Sequence, residues 1–319
     1  MNNTMQYRRC GKSGLLLPAM SLGFWKNFGT DADGATCREM VLGAFDRGIT
    51  CFDLANNYGP LPGSAEERFG KILSSDLASH RDEMVITTKA GHRMWEGPYQ
   101  DGGSRKYLIS SLDQSLKRMR IDYVDIFYHH RPDPDTPLEE TMTALADIVH
   151  SGKALYVGIS KYSLCETKAA VSMLSSMGVH CLVNQIRLSL LDRKSEEVVD
   201  AASTLGIGTV AFSPLCQGVL TGKYLSGIPS DSRMGTGAFT RPESVTEEMM
   251  EKTRKLSVLA KKKGVSLTDF SLAWILSHQS VTSVILGARN MRQIKENLEA
   301  LEVPAFTAEE LAEIDAVCD

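Results

Sequence analysis

The chain has 319 residues, 43% of them apolar, 23% charged and 7% aromatic, enough to bury a large core without disulfide staples. Lys+Arg 35 against Asp+Glu 39 leaves a formal net charge of −4 with no long run of either sign, which excludes the electrostatic footprint of a nucleic-acid binder. Seven cysteines spread over the chain without a C-x-x-C pair fit neither a zinc ribbon nor a disulfide framework, and point to reduced thiols in a cytoplasmic protein with no metal site.

The first twenty residues lack the apolar stretch of a signal peptide, and no later segment reaches the roughly 18 apolar residues of a membrane span, so no membrane partner is expected. Gln6–Arg9 and Leu15–Pro18, joined through Gly11 and Gly14, read as a β-hairpin. Strand-like runs then recur at Ala19–Leu22, Thr50–Asp53, Met84–Thr88, Tyr123–Tyr128, Ala154–Ile159, Cys181–Asn184, Gly208–Phe212 and Val281–Leu286. Helical spacing alternates with them near 35–47, 65–74, 105–118, 138–150, 163–176, 195–205, 247–263 and 291–301.

Ser163 and Glu166 form the S-x-x-E of a capping box, and Pro137 suits a first helical turn, where its missing N–H costs nothing. Gly48, Gly152, Gly178 and Gly206 fall where helices give way to strands. Eight strands alternating with eight helices predict an α/β fold, a (β/α)₈ TIM barrel over residues 1–319 as a single domain, with the N-terminal hairpin plugging its bottom. A long insertion follows the seventh strand, about Leu215 to Val245, and long βα loops on such a barrel carry function.

On a barrel, chemistry belongs at the C-terminal ends of strands. There the sequence offers Asp53, with Tyr58 in the following loop, then Lys89, then His129, His130 and Arg131. Singly these read as a turn residue, an amphipathic loop anchor, a solvated strand end and a weak histidine pair. Together they permit proton delivery to a carbonyl oxygen. A phenol titrates near 10, a neighbouring ammonium such as Lys89 would lower that value, and Asp53 could keep the ammonium charged. His130 could direct the substrate oxygen.

The stretches G-I-T-C-F-D-L-A-N-N-Y-G (48–59), V-I-T-T-K (85–89) and Y-V-D-I-F-Y-H-H-R-P-D (123–133) resemble the aldo-keto reductases, and the resemblance extends over essentially the whole chain. It implies a catalytic tetrad of Asp53, Tyr58, Lys89 and His130, with Tyr58 as proton donor and NADPH as cofactor. It also implies that Ser160 and Gln185 hold the nicotinamide carboxamide, that Phe212 stacks on the ring, and that Trp25 and Asp53 touch the cofactor. S-P-L-C-Q-G-V-L-T-G-K-Y (213–224) resembles the pyrophosphate-covering loop, assigning Ser213, Leu215, Gln217 and Lys223, with Arg233 in the same insertion. G-A-R-N-M-R-Q-I-K-E-N (287–297) resembles the adenosine-phosphate site, assigning Gly287, Arg289, Gln293, Glu296 and Asn297. Lys223, Arg233 and Arg289 favour a cofactor with a third phosphate group, NADPH over NADH.

Within the family, residues 58–70, 89–99, 102–108 and 221–233 resemble the bacterial L-glyceraldehyde 3-phosphate reductases, a group close to the β subunits of voltage-gated potassium channels. The implied activity is NADPH-dependent reduction of a small aldehyde, L-glyceraldehyde 3-phosphate or methylglyoxal. The alternative is an NADP(H)-binding, redox-sensing regulatory subunit with little turnover. His130 speaks for the reductase, because channel subunits carry Asn there. Trp25 and Trp95 are expected at the substrate wall, Arg131 or the Gly102–Lys106 stretch near a substrate phosphate, and Arg233 with Gly235–Gly237 as a cofactor clasp. Relatives of this branch are often homo-oligomers.

Overall fold

Two short antiparallel strands open the structure, β1 (Tyr7–Arg9) and β2 (Leu16–Pro18), pairing Tyr7 with Pro18 and Arg9 with Leu16. The structure is a computed structural model that describes residues 5–225, 227–230, 232, 235–236 and 245–318. Eight parallel strands then close into a barrel: β3 (Met20–Gly23), β4 (Cys51–Asp53), β5 (Val85–Ala90), β6 (Val124–His129), β7 (Ala154–Ser160), β8 (Cys181–Arg187), β9 (Gly208–Phe212) and β10 (Val281–Leu286). Strand β10 pairs with β9 on one side and returns to β3 on the other, so no edge is left unpaired. This is the (β/α)₈ barrel expected from the alternating pattern.

The hairpin lies across the bottom of the barrel as expected. Leu17 and Cys10 are buried and pack with Ile126, Leu182 and Val210 inside it. The fit is tight, since a side chain on Gly11 would sit 2.3 Å from the carbonyl oxygen of Gly206. Strands β5, β6 and β10 are buried along their full length, as a sheet covered on both faces requires.

The outer layer consists of α1 (Gly34–Phe45), α2 (Ser64–Ile72), α3 (Arg105–Met119), α4 (Leu138–His150), α5 (Leu164–Ser176), α6 (Glu196–Leu205), α7 (Glu247–Lys263), α8 (Leu267–Ser277), α9 (Met291–Leu298) and α10 (Ala308–Cys318). Their apolar faces join one continuous cluster with the barrel exterior, in which Phe24 stacks on Phe28 at 4.0 Å between ring centres and meets Phe69 edge-on at 5.2 Å. Gly70 lets α2 approach the end of α3, because a side chain there would meet the Arg118 carbonyl oxygen at 2.5 Å. Among the described residues no helix is long and apolar enough to cross a membrane.

The Ser163–Glu166 capping box forms at the start of α5, and Gly206 closes α6 in the left-handed region at φ 76°. Pro137 is one position off expectation. It is extended at ψ 131° and caps α4, whose first residue is Leu138. Helices α8 and α10 were not expected from the pattern. Helix α8 is buried nearly all round, from Leu267 through Phe270 to Leu276, so it presents no polar stripe to reveal its period. Strands β5, β6 and β8 also run further than expected, to Ala90, His129 and Arg187, because the residues that extend them include the polar Lys89, His129, Gln185 and Arg187, which read as loop.

Candidate active site

Asp53 ends β4 and Lys89 is the penultimate residue of β5, which places a carboxylate and an ammonium side by side at the top of the barrel, both buried. Lys89 Nζ donates to Asp53 Oδ2 at 2.7 Å and to the Leu54 carbonyl at 2.5 Å, and its third neighbour is the Tyr58 hydroxyl oxygen at 3.5 Å. The other Asp53 oxygen accepts from Thr87 Oγ1 at 2.9 Å and Gln185 Nε2 at 2.8 Å. The carboxylate is thereby held by donors from β5 and β8, which fixes Lys89 against Tyr58.

The phenol does not titrate as expected from its neighbour. Burial, and then the Asp53 charge, push the Tyr58 pKa well above 10 instead of lowering it. Burial dominates, and the Lys89 charge, already paired with Asp53, does not offset it. Burial also lowers the Lys89 pKa against the opposing pull of Asp53. Tyr58 is thus a stable phenol, and its O–H proton has no acceptor among the described residues.

His130 follows β6 with its backbone N–H bonded to Ala90 O at 2.8 Å. Its ring stands edge-on to Tyr58 at 5.7 Å and to His92 at 4.5 Å. Burial, then repulsion from Lys89 and its other cationic neighbours, holds its pKa well below 6.5. Nδ1 is buried without a partner, which leaves Nε2 as the nitrogen open to the cleft. His129 points the other way, as alternation along a strand demands, and its Nδ1 lies 2.7 Å from the Tyr162 hydroxyl.

A cleft of about 1180 Å³ opens over these groups and extends along the rim. Its wall contains Trp25, Asp53, Tyr58, His130, Gln185, Phe212, Ser213, Leu215, Gln217, Lys223, Gly287, Arg289, Gln293, Glu296 and Asn297, all singled out from the sequence. Lys89 lies just beneath the wall. Ser160 is fully buried behind it, donating to the Gln185 carbonyl at 3.0 Å. Arg233 and Gly237 lie outside the described residues. Four non-glycine residues beside the cleft adopt left-handed backbone: Lys161 (φ 63°), Ser213 (φ 57°), Cys216 (φ 45°) and Gln217 (φ 54°). Such strain clusters where a surface is shaped for a ligand.

Three expectations about the substrate end need correction. Trp95 is not part of the cleft wall; its ring packs 6.2 Å from Tyr107. Arg131 is turned to the Gly91 carbonyl at 2.8 Å and to Asp101 at 3.0 Å, and Arg105 pairs with Asp147 on the outer helix layer, so neither faces a substrate. Two further cations that line the cleft, Lys161 and Arg187, are not among the site residues read from the sequence, although each stands at a strand end, β7 and β8. The end-of-strand rule that found Asp53 would have found them.

From residue 19 to 319 the chain matches the family model described as the aldo/keto reductase family. The chain belongs to that family. It is 53% identical over 317 residues to an L-glyceraldehyde 3-phosphate reductase of Escherichia coli O157:H7, covering 98% of this chain and 92% of the relative. An L-glyceraldehyde 3-phosphate reductase of Escherichia coli (strain K12) is 52% identical over the same coverage. A probable voltage-gated potassium channel subunit beta of Oryza sativa subsp. japonica is 38% identical, covering 98% of this chain and 96% of its own length. The protein is an oxidoreductase, and these reductases support aldehyde reduction as its activity.

The family works with a nicotinamide cofactor, and the cleft fits one. Its volume exceeds the roughly 300–1,000 Å³ of pockets for compact ligands. It pairs the half-buried Phe212 ring with the buried, unpartnered Asn57 Oδ1 near Tyr58, and continues to Arg289 just ahead of the α9 N-terminus, a place suited to phosphate.

Proposed function

We propose that the protein uses NADPH to reduce a small aldehyde, with L-glyceraldehyde 3-phosphate and methylglyoxal as candidate substrates and Tyr58 as proton donor. The observation that carries this reading is the Tyr58 hydroxyl, which receives Lys89 at 3.5 Å on its oxygen while its own proton remains free for a ligand in the cleft.

When bound, the nicotinamide supplies the hydride that adds to the carbonyl carbon. Phe212 would offer a flat face to that ring, and Gln185, whose Nε2 is held by Asp53 at 2.8 Å, would lie beside its carboxamide. Tyr58 gives its proton to the oxygen on which negative charge develops, a transfer that a raised pKa keeps available at any ordinary pH. Lys89 then donates to the phenolate left behind, and Asp53 keeps Lys89 charged for that moment. The neutral His130, with its proton on Nε2, donates to the substrate oxygen and sets its direction toward Tyr58. Lys223 and Arg289 would hold phosphate groups of the cofactor, and their charge favours NADPH over NADH.

Loss of NADPH absorbance with L-glyceraldehyde 3-phosphate or methylglyoxal tests the activity. Tyr58→Phe should lower kcat by about 10²–10⁴-fold with NADPH affinity nearly unchanged. Comparable turnover in that variant would refute the assignment. A regulatory subunit would instead show very slow turnover in the parent protein.

A further inference from the structure

Around the mouth of the cleft, positive charge collects on Lys161 and Arg187 with one distant carboxylate between them. Lys161 follows β7 in the left-handed region, its N–H tied to Gln185 O at 2.9 Å, and its ammonium donates to His92 Nε2 at 3.2 Å, a neutral partner. Its Nζ lies 5.8 Å from the centre of the Phe212 ring, and the Arg187 guanidinium carbon lies 5.9 Å from the same centre. The carboxylate paired with Arg187, Asp192, is at 3.7 Å and Arg187 remains half exposed. Of the other acids in the cleft wall, Asp53 is engaged by Lys89, while Asp269, Glu296 and Glu299 belong to α8, α9 and the turn after it.

We propose that Lys161 and Arg187 form an anion subsite that binds the phosphate of a phosphorylated aldehyde while its carbonyl lies between Tyr58 and His130. The proposal rests on the reductase reading above and names its substrate class. His92 bridges the two ends, with its ring 4.5 Å from His130 and its Nε2 accepting from Lys161. Two cations beside one ring match the charge of a phosphate dianion, whereas an uncharged aldehyde leaves both unanswered.

The electrostatics agree with the geometry. Shielding by the surrounding protein, then repulsion from Lys89, Arg131 and Arg187, lowers the Lys161 pKa to about 8. Shielding, then Lys161 and Arg131, lowers that of His92 to about 4, so its ring stays neutral and Nε2 stays an acceptor. An arriving phosphate relieves this repulsion, and the relief is binding energy that a neutral substrate does not obtain.

The test compares L-glyceraldehyde 3-phosphate with L-glyceraldehyde in the parent protein, Lys161→Asn, Arg187→Gln and the double variant. Asn tolerates the left-handed backbone at 161, and both side chains are exposed, so the fold is retained. The ratio of kcat/KM for the phosphorylated over the free aldehyde should fall about 30-fold in the double variant, through KM. An unchanged ratio overturns the subsite. Calorimetric titration with glycerol 3-phosphate supplies a readout independent of turnover: affinity should drop about tenfold or more in the double variant, and equal affinity overturns the proposal. If the parent protein reduces neither aldehyde, the reductase reading falls, and the glycerol 3-phosphate titration still decides the subsite.

Discussion

Replacing Asp53 with Asn keeps the shape of the site and removes one charge from a pair that is buried on both sides. At 2.7 Å, with an effective dielectric constant of about 20, the attraction between the two charges is ~6 kcal/mol. The Leu54 carbonyl remains as an acceptor for Lys89, so the net loss of stability near neutral pH should be about 3–5 kcal/mol, the range for breaking a buried pair. The loss should also depend on pH in one direction. The folded-state pKa of Lys89, already lowered by burial, falls further without Asp53, while the unfolded value stays near ~10.4. Between those values the unfolded chain binds more protons, so the stability of the variant rises with pH, by at most ~1.4 kcal/mol per unit. Urea unfolding from about pH 6.5 to about 9.5 measures this directly. The double variant Asp53→Asn, Lys89→Met should recover to within ~1 kcal/mol of the parent while remaining inactive. A deficit that grows with pH, or a double variant no more stable than Asp53→Asn alone, would show that the pair is not what holds this end of the barrel.

The kcat for aldehyde reduction should be flat from about pH 6.5 to about 9, because the Tyr58 pKa is raised well above 10 and that of His130 lies well below 6.5; a titration in kcat inside that window would count against both roles. Arg289→Gln should raise Kd for NADPH about tenfold while changing that for NADH by less than about threefold, read by fluorescence titration, and equal effects would place Arg289 away from the third phosphate. Ser163→Ala removes the hydroxyl half of the α5 capping box and should cost about 1 kcal/mol in urea unfolding without affecting turnover; no measurable cost would mean that the Glu166 contact alone caps the helix.

Much of the architecture was legible because it rests on local signals. Alternation of short β-rich runs with helical spacing carries the barrel, and glycines such as Gly206 mark where helices stop. The signal failed where burial is uniform. Helix α8 has no polar face, so its period is hidden, and β5 and β8 end in polar residues, Lys89, Gln185 and Arg187, that gather at the site, so function masks strand there. At the site itself, residue types could be read but not their engagements. The Asp53–Lys89 pair is expected from the sequence, but not that burial beside it raises the Tyr58 pKa, nor that Arg131 turns to Asp101. Both facts depend on distances set by neighbouring strands, and each reverses a sequence-level expectation.

The arrangement of charge around the cleft also shows how a site built from many titratable groups stays close to neutral at its centre. There the Lys89 charge is balanced by Asp53, His130 and His92 are neutral because their pKa values are lowered, and Tyr58 is neutral because its own is raised. Charge that is not balanced so closely stands further out, on Lys161 and Arg187 beside Phe212. A neutral centre does not trap a charged group where the carbonyl must lie, and a positive rim attracts the charged end of the substrate. On the proposed reading, Lys161 and Arg187 attract and hold the anionic tail of a phosphorylated aldehyde, which leaves its carbonyl end for Tyr58 and His130.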